Sequence, residues 1–315
     1  MKFFAAALVM ASWVASAGAA TLTAAESNHY FGNLPSYAAV AGGMLKDRDI
    51  DLKITTMRGG PAAASALISH DVDLLTVSAD QAVKMRARNQ DVKIIASLTQ
   101  RAEYAVIVPK DGTIRTIEDL KGKTIGVTAT GSSTDVGTRS WIIGAGLDPD
   151  VDFRLVGLGS SSNVLVAFQH GQVAAATMSS PPLLRALGEA RVLADFRNFP
   201  YQELCVVVRA ADLAGPRREL LKNLVQGIVA AEEKLDGDDD FALGVAKASF
   251  PELPDDLLRA MVLDGIHQYH SFPADGDISR ESIGNVVAAL MRTKGISQSV
   301  SYEDVVDASL LKVGG

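Results

Sequence analysis

The sequence predicts an α/β fold in two lobes, each built on a mostly parallel sheet, followed by a helical tail. Three observations carry the prediction. From Thr21 to about Leu193, short apolar runs alternate with segments of helical periodicity, the pattern of repeated βαβ units. One passage occurs twice: Ala66-Leu67-Ile68-Ser69-His70-Asp71-Val72-Asp73 leads into the apolar run 74–77 and then Ser78-Ala79. Later, Val166-Ala167-Phe168-Gln169-His170-Gly171-Gln172-Val173 leads into 174–177 and then Met178-Ser179-Ser180. Each is a helix end, a tight turn, a short strand and small residues at the strand's carboxyl end, which favours two similar lobes over one large sheet. From Pro216 onward the strand-like runs cease and the chain reads as helix, broken at 236–240, 251–254 and 272–276.

Element by element, strands are expected at 21–25, 51–55, 74–77, 93–96, 105–108, 124–127, 153–156 and 174–177. Helices are expected at 34–46, 61–69, 81–88, 135–144, 163–170 and 182–187. Local chemistry supports several boundaries. Pro61 suits a first helical position, Ser78 can cap the helix after it, and Asp80 and Asp135 fall in first turns, where a carboxylate complements the helix dipole. His70 and His170 fall at helix C-termini, where a donor side chain satisfies the last carbonyls.

The first residues are of a different kind. Met1-Lys2, an apolar stretch from Phe3 to Val14 and the small residues Ala15 to Ala20 form the three regions of a secretory signal peptide, with cleavage expected after Ala19. No cysteine directly follows the stretch, which excludes a lipid-anchored N-terminus, and no later run approaches the roughly 20 apolar residues of a membrane span. The single cysteine, Cys205, sits in the apolar run Leu204-Cys205-Val206-Val207-Val208 and reads as core. With 30 basic against 37 acidic residues, a formal charge of −7, the surface is unsuited to nucleic acid. His267 and His270 share an i, i+3 spacing, yet no third ligand stands at a spacing that completes a metal site. No cofactor is expected.

The stretch Ile114-Arg115-Thr116-Ile117-Glu118-Asp119-Leu120-Lys121-Gly122-Lys123-Thr124-Ile125-Gly126-Val127, followed by Gly131-Ser132-Ser133, resembles a hallmark of the solute-binding proteins that serve ABC importers for nitrate, taurine, aliphatic sulfonates and thiamine precursors. Gly59-Gly60, Ala145-Gly146-Leu147-Asp148-Pro149 and His170-Gly171-Gln172-Val173-Ala174 fit the same family, although Ala174 stands where such proteins often carry an acidic residue. The resemblance runs from about Thr21 to Asn198. It implies a type II periplasmic-binding-protein fold of two doubly wound lobes joined by two hinge crossings. Lobe 1 would comprise 20–99 plus 209–315 and lobe 2 would comprise 100–204, with crossings near 98–104 and 201–208. It further implies a periplasmic monomer that passes its ligand to an inner-membrane permease and its ATPase.

In such a fold the ligand sits at the carboxyl ends of the parallel strands. The loops there nominate Asn28, His29 and Tyr30, a polar and aromatic cluster, then Arg58 with Gly59, and Ser78. The strongest local signal is Thr130-Gly131-Ser132-Ser133-Thr134 ahead of a helix, where backbone amides and hydroxyls form an anion site. Ser132 is expected to offer its hydroxyl, and Asp135 in the same first turn would repel a second negative charge, so the expected ligand is monoanionic or neutral, with an aromatic one allowed. Ser160, Ser179 and Pro181 follow by the same placement, and Gln100, Arg101 and Tyr104 lie at the proposed hinge.

Other function classes fare worse. No nucleophile elbow, zinc-protease motif, Walker loop or dinucleotide fingerprint occurs, and Gly157-x-Gly159 lacks its third glycine. The pyrimidine-precursor synthases that share the fold use a cysteine-rich segment, which one cysteine cannot supply. A periplasmic sensor feeding a receptor kinase would use the same closing lobes.

Overall fold

The computed structural model describes residues 18–197 and 200–311; the expected leader lies outside the described residues except for its last two positions. Two five-stranded sheets form the frame. The first has the order β2-β1-β3-β10-β4, built from β1 (Ala20–Glu26), β2 (Ile50–Thr56), β3 (Leu74–Val77), β4 (Val92–Arg101) and β10 (Pro200–Arg209). The second has the order β7-β6-β8-β5-β9, from β5 (Tyr104–Pro109), β6 (Thr124–Val127), β7 (Arg154–Gly157), β8 (Ala175–Ser179) and β9 (Ala190–Asp195). The repeated passage of the sequence supplies the same place in both sheets, since β3 pairs parallel with β1 and β8 pairs parallel with β6.

Each sheet is parallel in only one half. β10 runs antiparallel to both β3 and β4, and β5 runs antiparallel to both β8 and β9, so the expectation of mostly parallel sheets gives way to mixed ones. The reason lies in the connections: the chain passes from β4 in one sheet to β5 in the other, and returns from β9 to β10, so these strands are not joined by helical crossovers. β9 was not expected; its apolar run is only Val192-Leu193-Ala194, half-buried at the sheet's edge between Arg191 and Asp195.

Helices α1 (Leu34–Ala41), α2 (Gly60–Ile68) and α3 (Ala79–Ala87) belong to the first sheet, and α4 (Ser133–Gly144), α5 (Ser161–Gln169) and α6 (Pro182–Ala186) to the second. The helix expected at 34–46 stops at Ala41, where Gly42 caps it and Gly43 turns left-handed at φ 78°. The tail adds α7 (Gly215–Gly237), α8 (Asp239–Ser249), α9 (Asp255–Leu263), α10 (Arg280–Arg292) and α11 (Tyr302–Val305). On one face of the first sheet, Leu22, Leu74 and Val206 pack with Leu34 of α1, Leu224 and Ile228 of α7 and Val262 of α9. On the other, Leu75, Val77 and Val207 pack with Leu67 of α2, Val83 of α3 and Val286 of α10. The tail therefore covers the first sheet on both faces. Cys205 is buried in this core and donates to the carbonyl of Val77 at 3.3 Å. Among the described residues, no helix is long and apolar enough to cross a membrane.

Candidate functional site

The parallel strands of the two sheets end towards each other, and the loops after them meet around an enclosed space of about 30 Å³. A single water needs about 10–15 Å³ by the same measure, so the space has room for about two or three water-sized groups. Its wall is made by Ser27, Asn28 and Tyr30 after β1, Gly59 and Gly60 after β2, and Ser78, Asp80 and Gln81 after β3. From the second sheet come Tyr104, Thr128, Ser132, Ser133, Thr134 and Ser179.

Three helices of eight residues or more begin on this wall. α2 starts at Gly60 behind Gly59, and α3 starts behind Ser78, and neither has a side-chain cap on its first-turn amides. α4 starts behind Ser132. A helix N-terminus carries roughly half a positive charge, so their convergence favours an anion in the space, although among the described residues no Lys, Arg or His lines it. Among the described residues, Asp80 is the one charged side chain on the wall, and its carboxylate opposes the field of the helix ends.

Cross-connections hold the two halves together. Lys84 Nζ and Gln81 Nε2, both on α3, donate to the carbonyl of Gly131 at 2.5 and 3.1 Å. Asn28 Nδ2 donates to Ser161 Oγ at 3.2 Å, and the amide of Phe31 to the carbonyl of Ser180 at 3.3 Å. At Gly59, φ is 90° and an added Cβ would stand 3.2 Å from the Cβ of Ala129, so glycine is required both by the backbone and by the approach of the opposite loop.

Of the residues nominated from sequence, Asn28, Tyr30, Gly59, Ser78, Ser132, Ser133, Thr134 and Ser179 line the space, and so does Tyr104. The others stand elsewhere. Arg58 and Thr130 are exposed. Gly131 meets Lys84 and Gln81 through its carbonyl. Ser160 caps α5 by accepting from the amide of Asn163 at 3.2 Å, and Pro181 is buried ahead of α6. Gln100 faces the tail, its backbone N–H donating to the carbonyl of Ser271 at 2.9 Å and its side-chain Nε2 to the carbonyl of Asp277 at 3.5 Å. Arg101 is half-buried at the end of β4. Asp80 and Gln81 were read from sequence only as a helix's first turn; their position directly after β3 is the signal that places them on the wall.

Two expectations about the loop before α4 change. The Ser132 hydroxyl donates to the carbonyl of Ala129 at 2.7 Å and lies 2.9 Å from the hydroxyls of Thr128 and Thr134, so it holds the loop rather than standing free for a ligand. The Asp135 carboxylate accepts from the amide of Gly131 at 2.8 Å and from Arg139 Nε at 3.0 Å, so its charge is offset within its own helix.

His29 turns away from the space. Its Nδ1 is 3.2 Å from Glu26 Oε1 and its Nε2 is 3.0 Å from the carbonyl of Ser249, while Tyr37 donates to Glu26 Oε2 at 2.5 Å. The hydrogen bond to Glu26 raises the His29 pKa above 6.5, against the opposing effect of burial. A raised folded-state pKa adds stability that is fully present below about 6.5 and fades as pH rises through the folded value. The melting temperature of His29→Gln should therefore trail the parent by more at pH ~5.5 than at pH ~8.5. A deficit that grew towards alkaline pH would refute the pairing.

Comparison with known proteins agrees with this geometry. A family model described as "ABC transporter, phosphonate, periplasmic substrate-binding protein" matches residues 36–240, more than half of the chain. Among solved structures, a protein of Bordetella bronchiseptica is similar with a TM-score of 0.81 and 21% identity, covering 92% of this chain and 95% of that one. The alkanesulfonate-binding protein of Xanthomonas axonopodis pv. citri, bound to MOPS, is similar with a TM-score of 0.76 and 18% identity, covering 93% and 99%. The periplasmic nitrate-binding protein of Synechocystis PCC 6803 follows with 0.73 and 12% identity, covering 92% and 86%. No curated protein sequence matches the chain. These likenesses establish the periplasmic-binding-protein fold that the sequence resemblance implied.

Proposed function

The chain belongs to the family of periplasmic substrate-binding proteins of phosphonate ABC transporters, and from that premise we propose that it captures a compact, singly charged oxyanion-headed molecule between its lobes. The observation that carries the reading is the convergence of the N-termini of α2, α3 and α4 on one small, hydroxyl-lined space. Backbone dipoles stabilise an anion there without a side-chain cation, and the limited volume favours a small head over an aromatic ring. The phosphonate family and the sulfonate- and nitrate-binding proteins of similar fold support the same ligand chemistry.

On this reading the described arrangement is the closed form of a hinged monomer. Lobe 1 holds the first sheet and the tail, and lobe 2 the second sheet. The hinge lies where the chain passes from β4 to β5, within the expected 98–104, and from β9 to β10, just ahead of the expected 201–208, which is strand β10 itself. A signal peptide delivers the chain to the periplasm, and the closed form docks on an inner-membrane permease whose ATPase drives uptake. A ligand that binds only the folded protein raises its stability by about 2.7 kcal/mol at a hundredfold excess over Kd. Thermal shift should therefore respond to methylphosphonate and related small monoanions, and not to sugars, cations or aromatic acids of similar size. Stabilisation by the latter group alone would replace the oxyanion reading.

A further inference from the structure

Asp80 is fully buried on the wall of the cavity. Its Oδ2 accepts from Lys84 Nζ at 2.5 Å and from Gln81 Nε2 at 2.7 Å, whereas its Oδ1 has no hydrogen-bond partner. Ser78 Oγ, on the same wall and only 5% exposed, has none either. Buried polar atoms are nearly always paired, so two orphaned oxygens at the edge of one cavity mark where atoms of a ligand belong. The two are chemically unequal. A hydroxyl donates or accepts as needed, but a carboxylate oxygen only accepts, so whatever meets Oδ1 must bring a hydrogen.

That requirement divides the oxyanions. Sulfonate and nitrate heads carry acceptors alone and would set lone pairs against the lone pairs of Oδ1. A phosphonate-type head with one proton has the same single charge and nearly the same shape, and it carries one hydroxyl. We propose that Asp80 is a specificity-determining residue, its Oδ1 accepting the hydroxyl hydrogen of a monoprotonated phosphonate-type head and excluding heads that have none. The proposal rests on the oxyanion reading above. Lys84 and Gln81 make the discrimination firm: both hold the other side of the carboxylate and also donate to Gly131 across the cleft, so Asp80 cannot turn away when the lobes are closed. The helix N-termini supply the attraction for the charge, and Asp80 sets the protonation state that is admitted.

The test is calorimetry on the mature protein at pH ~5, below the second ionisation near 6 typical of phosphoryl groups, with three probes. Methylphosphonate offers a head hydroxyl, methanesulfonate offers no hydrogen, and 2-aminoethanesulfonate offers a hydrogen only on its ammonium. The parent should bind methylphosphonate at least about 100-fold more tightly than either sulfonate, because a site built around a hydrogen bond strongly rejects the analogue that lacks it. Asp80→Asn, which can turn an amide donor towards the head, should bring methanesulfonate to within about tenfold of methylphosphonate. Equal parent affinity for methylphosphonate and methanesulfonate would overturn the role of Asp80 and leave the oxyanion reading intact. A preference for 2-aminoethanesulfonate would also overturn it, by showing that the carboxylate meets an ammonium. An undiminished preference in Asp80→Asn would do the same, and binding of none of the three probes would remove both readings together. Should the variant not fold, the parent's ranking of the probes decides the matter.

Discussion

Substituting Gly59 with valine should weaken methylphosphonate binding by at least about a hundredfold while leaving the lobes folded. Two costs act together and can be separated. Gly59 has φ 90° and ψ 168°, a region essentially reserved for glycine, so any side chain there strains the chain by about 1–3 kcal/mol whether the cleft is open or closed. The second cost exists only where the two loops meet as in this structure, proposed above to be the closed form: a Cβ would lie 3.2 Å from that of Ala129 and the two methyls of valine would reach further into the opposite loop. Binding that requires closure loses what the clash adds. Gly122→Val is the control: its φ is 74° but nothing lies within 4 Å of an added Cβ, so it should lower the melting temperature without touching affinity. X-ray scattering of Gly59→Val should show no contraction when methylphosphonate is added. Undiminished binding would mean that the ligand is held without the two loops meeting.

The second large effect concerns pH. Glu103 lies between β4 and β5, is only 4% exposed, and accepts from Ser271 Oγ at 2.5 Å. Burial raises its pKa from 4.5 to about 7, against the opposing pull of the Ser271 hydrogen bond and the charge of Arg197. The folded protein thus holds a proton that the unfolded chain releases. The stability from this group is fully present below about 4.5 and is lost as pH rises through about 7. Over the whole window the loss is on the order of 3 kcal/mol, since each pKa unit corresponds to about 1.4 kcal/mol. Glu103→Gln keeps the shape and an acceptor for Ser271 but does not titrate. In urea unfolding the variant should gain on the parent by on the order of 2–3 kcal/mol between pH 5 and pH 8. A difference that stays constant over that range would show that Glu103 does not ionise there.

Much of this architecture follows from local rules that act on short stretches. β3 and β6 occupy the residues expected for them, because a four-residue apolar run between turn signals has one reading when it is buried on both faces. The helix start at Pro61 was legible, whereas α4 begins at Ser133, ahead of the expected 135, because Ser132 caps it instead of serving a ligand. What escaped was set by partners far along the chain: β9 is an edge strand of mixed residues, and the antiparallel halves of both sheets arise from the crossings, which leave no periodic trace. The site divides in the same way. Its loops were legible because strand ends dictate where they lie, but side-chain direction within a loop was not. His29 and Tyr30 are neighbours, and one turns to Glu26 while the other lines the cavity. Asp80 was obscured because a carboxylate in a first turn already has an ordinary explanation, and only its unpartnered oxygen distinguishes it.

The strand order of the first sheet also governs the sequence of events in folding. β10 lies between β3 and β4, so β4 has no neighbour in its sheet until the chain is complete to about Arg209, and α7 and α10, which cover the sheet's two faces, come later still. The second sheet has no such dependence: all of its strands lie between Tyr104 and Asp195. It is therefore free to form while the first sheet waits for a contact separated by about a hundred residues, and closing so long a loop is slow. A chain emerging from its N-terminus thus remains incompletely folded until nearly all of it has been made. On the export proposed above, that delay suits a polypeptide threaded across a membrane before it acquires its final shape.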